Sequence, residues 1–286
     1  MDPVLADLLS LLRPEKIKED VFRGESRDIG TPQVFGGQVL AQALAAAAQT
    51  VEAKRSPHSL HAYFLRRGDV GAPIDYEVDR ARDGASFSNR RIVAVQEGRQ
   101  IFHMAASFQR VETGVEHHAE MPDVPGPGGL TDRFDVDAAV LAQLHEKMQS
   151  YLSRKRPFMV RPVRQLDFLK PEKLEPVKHV WIRSVDALAD DLLLHQLLLA
   201  YVSDYELLGT ATLPHGVNFT SSNTQMASLD HALWFHRDFR IDQWLLFSFD
   251  SPNTSGARGL ARSMVFTEQG ELVASSAQEG LIRVRD

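Results

Sequence analysis

The sequence predicts an α+β fold written twice along one chain, and three observations carry that reading. Ser59-Leu60-His61-Ala62-Tyr63-Phe64 returns as Ser228-Leu229-Asp230-His231-Ala232-Leu233-Trp234-Phe235. Ala105-Ala106-Ser107-Phe108-Gln109 returns as Ala274-Ser275-Ser276-Ala277-Gln278, and 169 residues separate both Ser59 from Ser228 and Gln109 from Gln278. Each half also holds one long, nearly all-apolar helical run among several strand-like segments. That grouping favours antiparallel sheet around a single helix over alternating βαβ units.

In the first half, residues 34–48 read as a helix: the run is rich in Ala and Leu and free of internal proline. Its apolar positions cover nearly the whole circumference, so the helix is expected to be buried on most sides, and Gly36-Gly37 at its start allow close backbone approach. Residues 74–79 alternate apolar and charged, the period of a half-buried strand. Residues 91–95, a Glu97-Gly98 turn and residues 101–105 read as a hairpin. From 111 to 131 the chain carries Pro122, Pro125 and Pro127 with several glycines and acids, the composition of a linker.

A helix is expected over 136–153, with Val140, Leu144, Met148 and Leu152 at four-residue spacing, closing on Arg154-Lys155-Arg156. That basic run is read as compensation of a helix C-terminal dipole in preference to a phosphate site. In the second half, residues 192–205 form another mostly apolar helix, followed by strands around 229–235, 243–249, 260–267 and 272–282.

With 286 residues, 43% hydrophobic and 24% charged, the chain is globular and long enough for two cores. A net charge of −6 gives no global field for nucleic acid or acidic lipid. The absence of cysteine removes disulfides, Cys-zinc sites and a thiol nucleophile together. The opening residues carry acids and no basic region, and no run reaches the roughly 20 apolar residues of a membrane span, so a cytoplasmic location is expected.

Common catalytic motifs are missing. Gly84-Ala85-Ser86-Phe87-Ser88 lacks the last glycine of a nucleophile elbow, and His145-Glu146-Lys147-Met148-Gln149 lacks the second histidine of a zinc-protease helix. His117-His118 falls in the linker, without ligand partners at helical or hairpin spacing.

Asp204 stands out as an acid towards the end of an apolar helix, where a buried carboxylate is costly unless hydrogen bonded or used. Aligning the two helices sets Asp204 against Ala46, whereas Ser228 and Gln278 keep polar counterparts in Ser59 and Gln109. An acid, a hydroxyl and an amide therefore occur together only in the second copy. Asp can take a proton from an attacking water, and Ser and Gln can hold that water. Such a site suits an acyl group with a good leaving group, and a thiol, with a pKa of about 8.5, departs readily as thiolate.

Across nearly its whole length the chain resembles the acyl-CoA thioesterase II family of double hotdog proteins. The likeness rests on Thr31-Pro32-Gln33-Val34-Phe35-Gly36-Gly37-Gln38, His61-Ala62-Tyr63-Phe64-Leu65-Arg66 and Asp83-Gly84-Ala85-Ser86-Phe87 in the first half. In the second half it rests on Ala200-Tyr201-Val202-Ser203-Asp204-Tyr205, Leu229-Asp230-His231-Ala232-Leu233-Trp234-Phe235-His236-Arg237, Ser255-Gly256-Ala257-Arg258-Gly259 and Val273-Ala274-Ser275-Ser276-Ala277-Gln278-Glu279-Gly280. The resemblance implies two tandem hotdog domains, each a sheet wrapped around a long helix. Residues 1–118 form the half without the acid, 119–156 the linker and its helix, and 157–286 the half with the catalytic set.

The family's water-activating Asp, Thr and Gln carry over to Asp204, Ser228 and Gln278, with Ser in place of Thr. The hydroxyl survives and the stiff β-branched rotamer is lost. The implied reaction is hydrolysis of fatty acyl-CoA, with no metal or redox cofactor, the oxyanion meeting backbone N–H groups, and a homodimer or larger assembly. The alternatives are a hotdog hydratase or dehydratase, which pairs an Asp with a His absent from residues 205–209, and a non-catalytic acyl-CoA-binding protein. His58 is read as structural. His231 and Trp234, three apart in a strand, are expected on opposite faces. Arg66, Arg67, Arg90, Arg91, Arg258 and Arg262 are candidates for CoA phosphates, and none is assigned.

Overall fold

The computed structural model describes residues 1–31, 33–167, 171–218, 221 and 223–285, apart from the side chains of Lys147, Met148 and Tyr151. The chain opens with a helix that its composition hides among ordinary leucines. In α1 (Pro3–Leu11), Asp2 accepts from the N–H groups of Val4 and Leu5, and proline stands in the first turn where no N–H is needed. Leu5, Leu8, Leu9 and Leu11 turn inward. Two short strands follow, β1 (Glu15–Lys18) and β2 (Val21–Gly24).

The helix expected over 34–48 is α2 (Gly36–Ala48), enclosed on nearly every side. Strands β3 (Arg55–Phe64), β4 (Ile74–Asp83), β5 (Phe87–Gln96) and β6 (Arg99–Arg110) complete the first half. Gly84 to Ser86 form the turn between β4 and β5, where Ser86 bonds Glu112, so this serine joins two strands and is no nucleophile elbow.

Residues 111–131 contain neither helix nor strand, as expected of a linker. The segment is nevertheless more than a tether. Met121, Val124 and Leu130 pack on an outer cluster of Trp181, Leu246, Phe266 and Leu272, and Trp181 Nε1 donates to the Pro125 carbonyl at 2.9 Å.

The single helix expected over 136–153 is instead two pieces, α3 (Ala138–Leu141) and α4 (Glu146–Ser153). The α3 piece buries no residue, and four-residue apolar spacing cannot hold a short helix that has no surface to pack against. Leu152 is buried, and the Met148 side chain lies outside the described residues. In the basic run, Arg154 bonds Asp28 and the Arg156 guanidinium lies 4.1 Å from the Phe134 ring centre.

The second half comprises β7 (Phe158–Pro162), β8 (Val177–Ser184), α5 (Leu192–Val202), the short α6 (Leu207–Thr210) and β9 (Thr224–Ser228). It ends with β10 (Asp230–Phe235), β11 (Leu245–Ser255), β12 (Arg258–Thr267) and β13 (Leu272–Val284). Among the described residues thirteen strands form one sheet in the order β1-β2-β4-β5-β6-β3-β10-β13-β12-β11-β8-β7, with β9 added on β13. The halves join where β3 runs antiparallel to β10, Leu60 opposite Leu233 and Ala62 opposite His231. These are two tandem hotdog units sharing one continuous antiparallel sheet, with α2 and α5 packed against each other and the sheet around them. Among the described residues no helix is long and apolar enough to cross a membrane.

The ladders correct one detail of the repeat. Ser59 stands opposite Ser107, two residues short of Gln109, whereas Ser228 stands opposite Gly280, two residues beyond Gln278. Ser59 and Gln109 therefore do not occupy the places of Ser228 and Gln278. The sequence offset matched similar words at different positions in the sheet, because strand alternation reuses the same small vocabulary.

Candidate active site

Asp204 lies two residues beyond the last residue of α5, after the C-cap Ser203, and not within the helix as expected. That placement turns its carboxylate towards the start of α2. The Gly37 N–H donates to Asp204 Oδ2 at 3.0 Å. The two glycines make this approach possible. A Cβ on Gly37 would stand 2.1 Å from the Tyr201 carbonyl oxygen, and one on Gly36 would stand 2.7 Å from Asp204 Oδ2.

Two further elements complete the cluster. Gln278, in β13 and 1% exposed, donates from Nε2 to Asp204 Oδ1 at 2.6 Å. Ser228 ends β9, which pairs with β13 just past Gln278, and its side chain lies close enough to Asp204 to pull the pKa of the carboxyl down. The three residues singled out from sequence thus meet at one point. Asp204 retains some accessible surface, but protein closely surrounds its carboxyl. Burial therefore pushes its pKa up to about 6, against the opposing pull of the Gln278 and Gly37 hydrogen bonds and of Ser228.

Behind Gln278 lies a chain of contacts that sequence reasoning did not find. Ser203 Oγ donates to the Ala200 carbonyl at 3.0 Å and so accepts from His231 Nε2 at 2.9 Å. His231 Nδ1 is then left to accept from Gln278 Nε2 at 3.3 Å. Burial holds the His231 pKa down to about 3, so the ring is neutral and can play both parts. The two hydrogens of Nε2 go to Asp204 and His231, and among the described residues the buried Gln278 Oε1 has no partner. The sequence did place His231 and Trp234 on opposite faces. His231 points inward, and Trp234 lies on the other face with its ring edge-to-face on His61.

Glu206, also missed, adopts a left-handed backbone with φ of 67°. Arg133 and the Lys178 ammonium, the latter at 2.7 Å, grip its carboxylate. Burial alone would raise the Glu206 pKa, but the two cations outweigh it and hold it at about 2. An acid two residues from Asp204 was visible in the sequence, but its partners lie in distant segments.

Two cavities flank the cluster. One of about 480 Å³ reaches Asp204 and is walled by Phe35, Phe134, Tyr205, Leu208 and Met226, with the Glu206 triad at its side. The other, about 250 Å³, reaches Gly36 and Ser228 between Val34, Phe64 and Ile101.

The remaining candidates lie elsewhere. Ala46 is wholly buried, and Gln109 bonds Glu112 at the surface. His58 Nε2 shares a hydrogen bond with Ser107 Oγ at 2.8 Å and its ring meets Phe87 edge-on, a structural placement. Arg90 is buried against Asp83 and Thr50, Arg258 pairs with Glu279 and Arg262 with Asp250. His118 is exposed, and no group of His, Asp and Glu among the described residues is arranged to hold a metal.

Comparison with known proteins agrees with this architecture. The profile described as "Acyl-CoA thioesterase" matches residues 149–281, and "Acyl-CoA thioesterase N-terminal domain" matches residues 23–109. The chain is 41% identical over 283 residues to Acyl-CoA thioesterase 2 of Haemophilus influenzae, covering 99% of each chain. It is 40% identical to Acyl-coenzyme A thioesterase 8 of Mus musculus, covering 96% of this chain and 88% of that one. The solved structure of acyl-CoA thioesterase II TesB2 from Mycobacterium marinum matches with a TM-score of 0.80 at 40% identity, covering 98% of this chain and 99% of the other. Matched along both halves in sequence and in fold, this chain belongs to the acyl-CoA thioesterase family and is a thioester hydrolase.

Proposed function

We propose that the chain hydrolyses fatty acyl-CoA to the free acid and CoA by direct attack of one water held by Asp204, Ser228 and Gln278. The observation that carries this reading is the meeting of a hydroxyl, an amide and a helix start on one carboxylate whose pKa is about 6. Above that pH the carboxylate is ionised and can accept a proton, and its pKa near the operating range suits general base work. In this reading the buried Gln278 Oε1, without a partner among the described residues, accepts from the same water once it enters.

The water oxygen bonds to the thioester carbonyl carbon while its proton passes to Asp204. The positive end of the α2 dipole, at Gly36 and Gly37, favours the negative oxygen of the tetrahedral intermediate. The C–S bond then breaks, the thiolate leaves, and the proton on Asp204 returns to it. The acyl chain occupies the 480 Å³ cavity, where Arg133 and Lys178 are already matched to Glu206. One site per chain is part of this reading, because aligning the two helical runs sets Ala46 against Asp204.

The test is thiol release from a chain-length series of acyl-CoAs. Asp204→Asn and Gln278→Ala are expected to lose about 10²-fold or more in kcat, within the span of general base catalysis. Ser228→Thr should retain activity and Ser228→Ala lose it. Wild-type rates in Asp204→Asn would overturn the assignment.

A further inference from the structure

We propose that Arg66, Arg67 and Arg99 form the port for the phosphates of the CoA nucleotide, so that the thiol half of the substrate enters from the β3–β6 side. The proposal rests on the reading of Asp204, Ser228 and Gln278 as the reaction centre and adds a direction to it. Two separate cavities reach that centre, one at Asp204 and the other at Gly36 and Ser228. A thioester held between them sends its acyl chain one way and its thiol the other.

Charge distinguishes the two directions. The smaller cavity runs out to Arg66 and Arg67, and Arg66 is shared with an adjoining surface hollow lined by Gly98, Arg99 and Gln100. None of these three arginines makes an ion pair with a carboxylate among the described residues, although Arg23, Arg80, Arg110, Arg240 and others in the chain do. Of the acids close by in sequence, Asp69 already accepts from the Gly71 N–H and Glu97 lies exposed in the β5–β6 turn. In a chain of net charge −6, three such arginine side chains gather around this opening.

The larger cavity differs. Its buried cations Arg133 and Lys178 are committed to Glu206, Arg164 pairs with Glu172, and Arg156 lies over Phe134.

The rim of the port is also held in place. The N–H groups of Leu65 and Arg66 both donate to the Ile101 carbonyl, at 2.8 and 3.1 Å, and Arg66 Nη1 donates to the Gln100 carbonyl at 2.6 Å. The chain after β3 is thereby tied to the start of β6, which brings Arg66 and Arg99 to one opening. Val34 joins the same rim through its N–H bond to the Gly68 carbonyl at 3.0 Å. Guanidinium groups bind phosphate oxygens in paired, charge-assisted hydrogen bonds, and a nucleotide carrying a pyrophosphate and a 3′-phosphate offers several such oxygens.

The test is calorimetric binding of free CoA and of pantetheine, which lacks the nucleotide, to wild type, Arg67→Ala, Arg99→Ala and the double variant. Arg66 is left in place because it also holds the Gln100 carbonyl. Wild type should prefer CoA, and the preference over pantetheine should fall about tenfold per arginine removed, the worth of one charge-assisted hydrogen bond. The affinity for CoA should also weaken with salt, less steeply in the double variant. An undiminished CoA preference in the double variant would overturn the port. So would its collapse in Arg156→Ala or Arg164→Ala, which would place the nucleotide at the larger cavity. Because binding is read without turnover, a wild type that binds CoA through these arginines yet releases no thiol would sink the catalytic reading and leave the port standing.

Discussion

Gln278 Nε2 lies 2.6 Å from Asp204 Oδ1, across 74 residues of sequence, and this bond opposes burial in fixing the charge state of the centre. Burial raises the Asp204 pKa to about 6, and the Gln278 amide is the foremost influence pulling it down. The kcat/KM profile should therefore rise with pH through about 6. Gln278→Ala should move that acidic limb upward as well as lower its plateau. A limb that stays in place, measured from pH 4.5 to 9, would separate Gln278 from the ionisation of Asp204.

Asp204 should also leave a mark on stability. Its folded pKa lies above its unfolded value, so the folded state holds the proton more tightly and loses stability as pH climbs from about 4 to about 6. The full penalty is about 3 kcal/mol at 1.36 kcal/mol per pKa unit. Asp204→Asn lacks this penalty. Relative to wild type, the variant should therefore gain about 1–2 kcal/mol in urea denaturation between pH 5 and pH 8. A gap between the two proteins that is independent of pH would contradict the raised pKa.

His231 positions the Gln278 amide by accepting its second hydrogen at Nδ1. An asparagine carboxamide oxygen can take the place of Nδ1, and a leucine cannot. His231→Leu should lower kcat about tenfold, with KM little changed and the acidic limb shifted upward, because the amide is then free to turn its oxygen towards Asp204. His231→Asn should restore part of kcat and the position of the limb. Equal loss in both variants with an unmoved limb would reduce His231 to a packing residue.

Gly37→Ala tests the approach of the two helices. Its Cβ would fall 2.1 Å from the Tyr201 carbonyl oxygen, a backbone atom with no freedom to swing aside. Moving α2 from α5 should cost about 3 kcal/mol or more and lower the melting temperature by several degrees. A variant that melts with wild type would show that the helices tolerate separation.

Much of this was legible in the chain. The apolar circumference of residues 36–48 marks a helix enclosed by sheet, since only burial on all sides rewards such a pattern. Asp204 was conspicuous as an acid in an apolar run, and the second-half sequence carried Ser228 and Gln278 in the company of a family resemblance. The helix expected over 136–153 failed because periodicity records a possible apolar face and not the presence of something to cover it.

Composition and pattern by themselves determined the α+β class and the doubled plan and singled out the three polar residues proposed for the site, because burial and side-chain chemistry are written locally. Tertiary structure decided the rest. It moved Asp204 off its helix and onto the start of α2, and it set Ser59 and Gln109 out of step with Ser228 and Gln278. It also enlisted His231 and gathered Arg66, Arg67 and Arg99 at one opening. Each of these depends on strand register or on contacts between distant segments. A shift of one residue in register turns a side chain to the opposite face, and no local pattern states which carbonyl a distant N–H will meet.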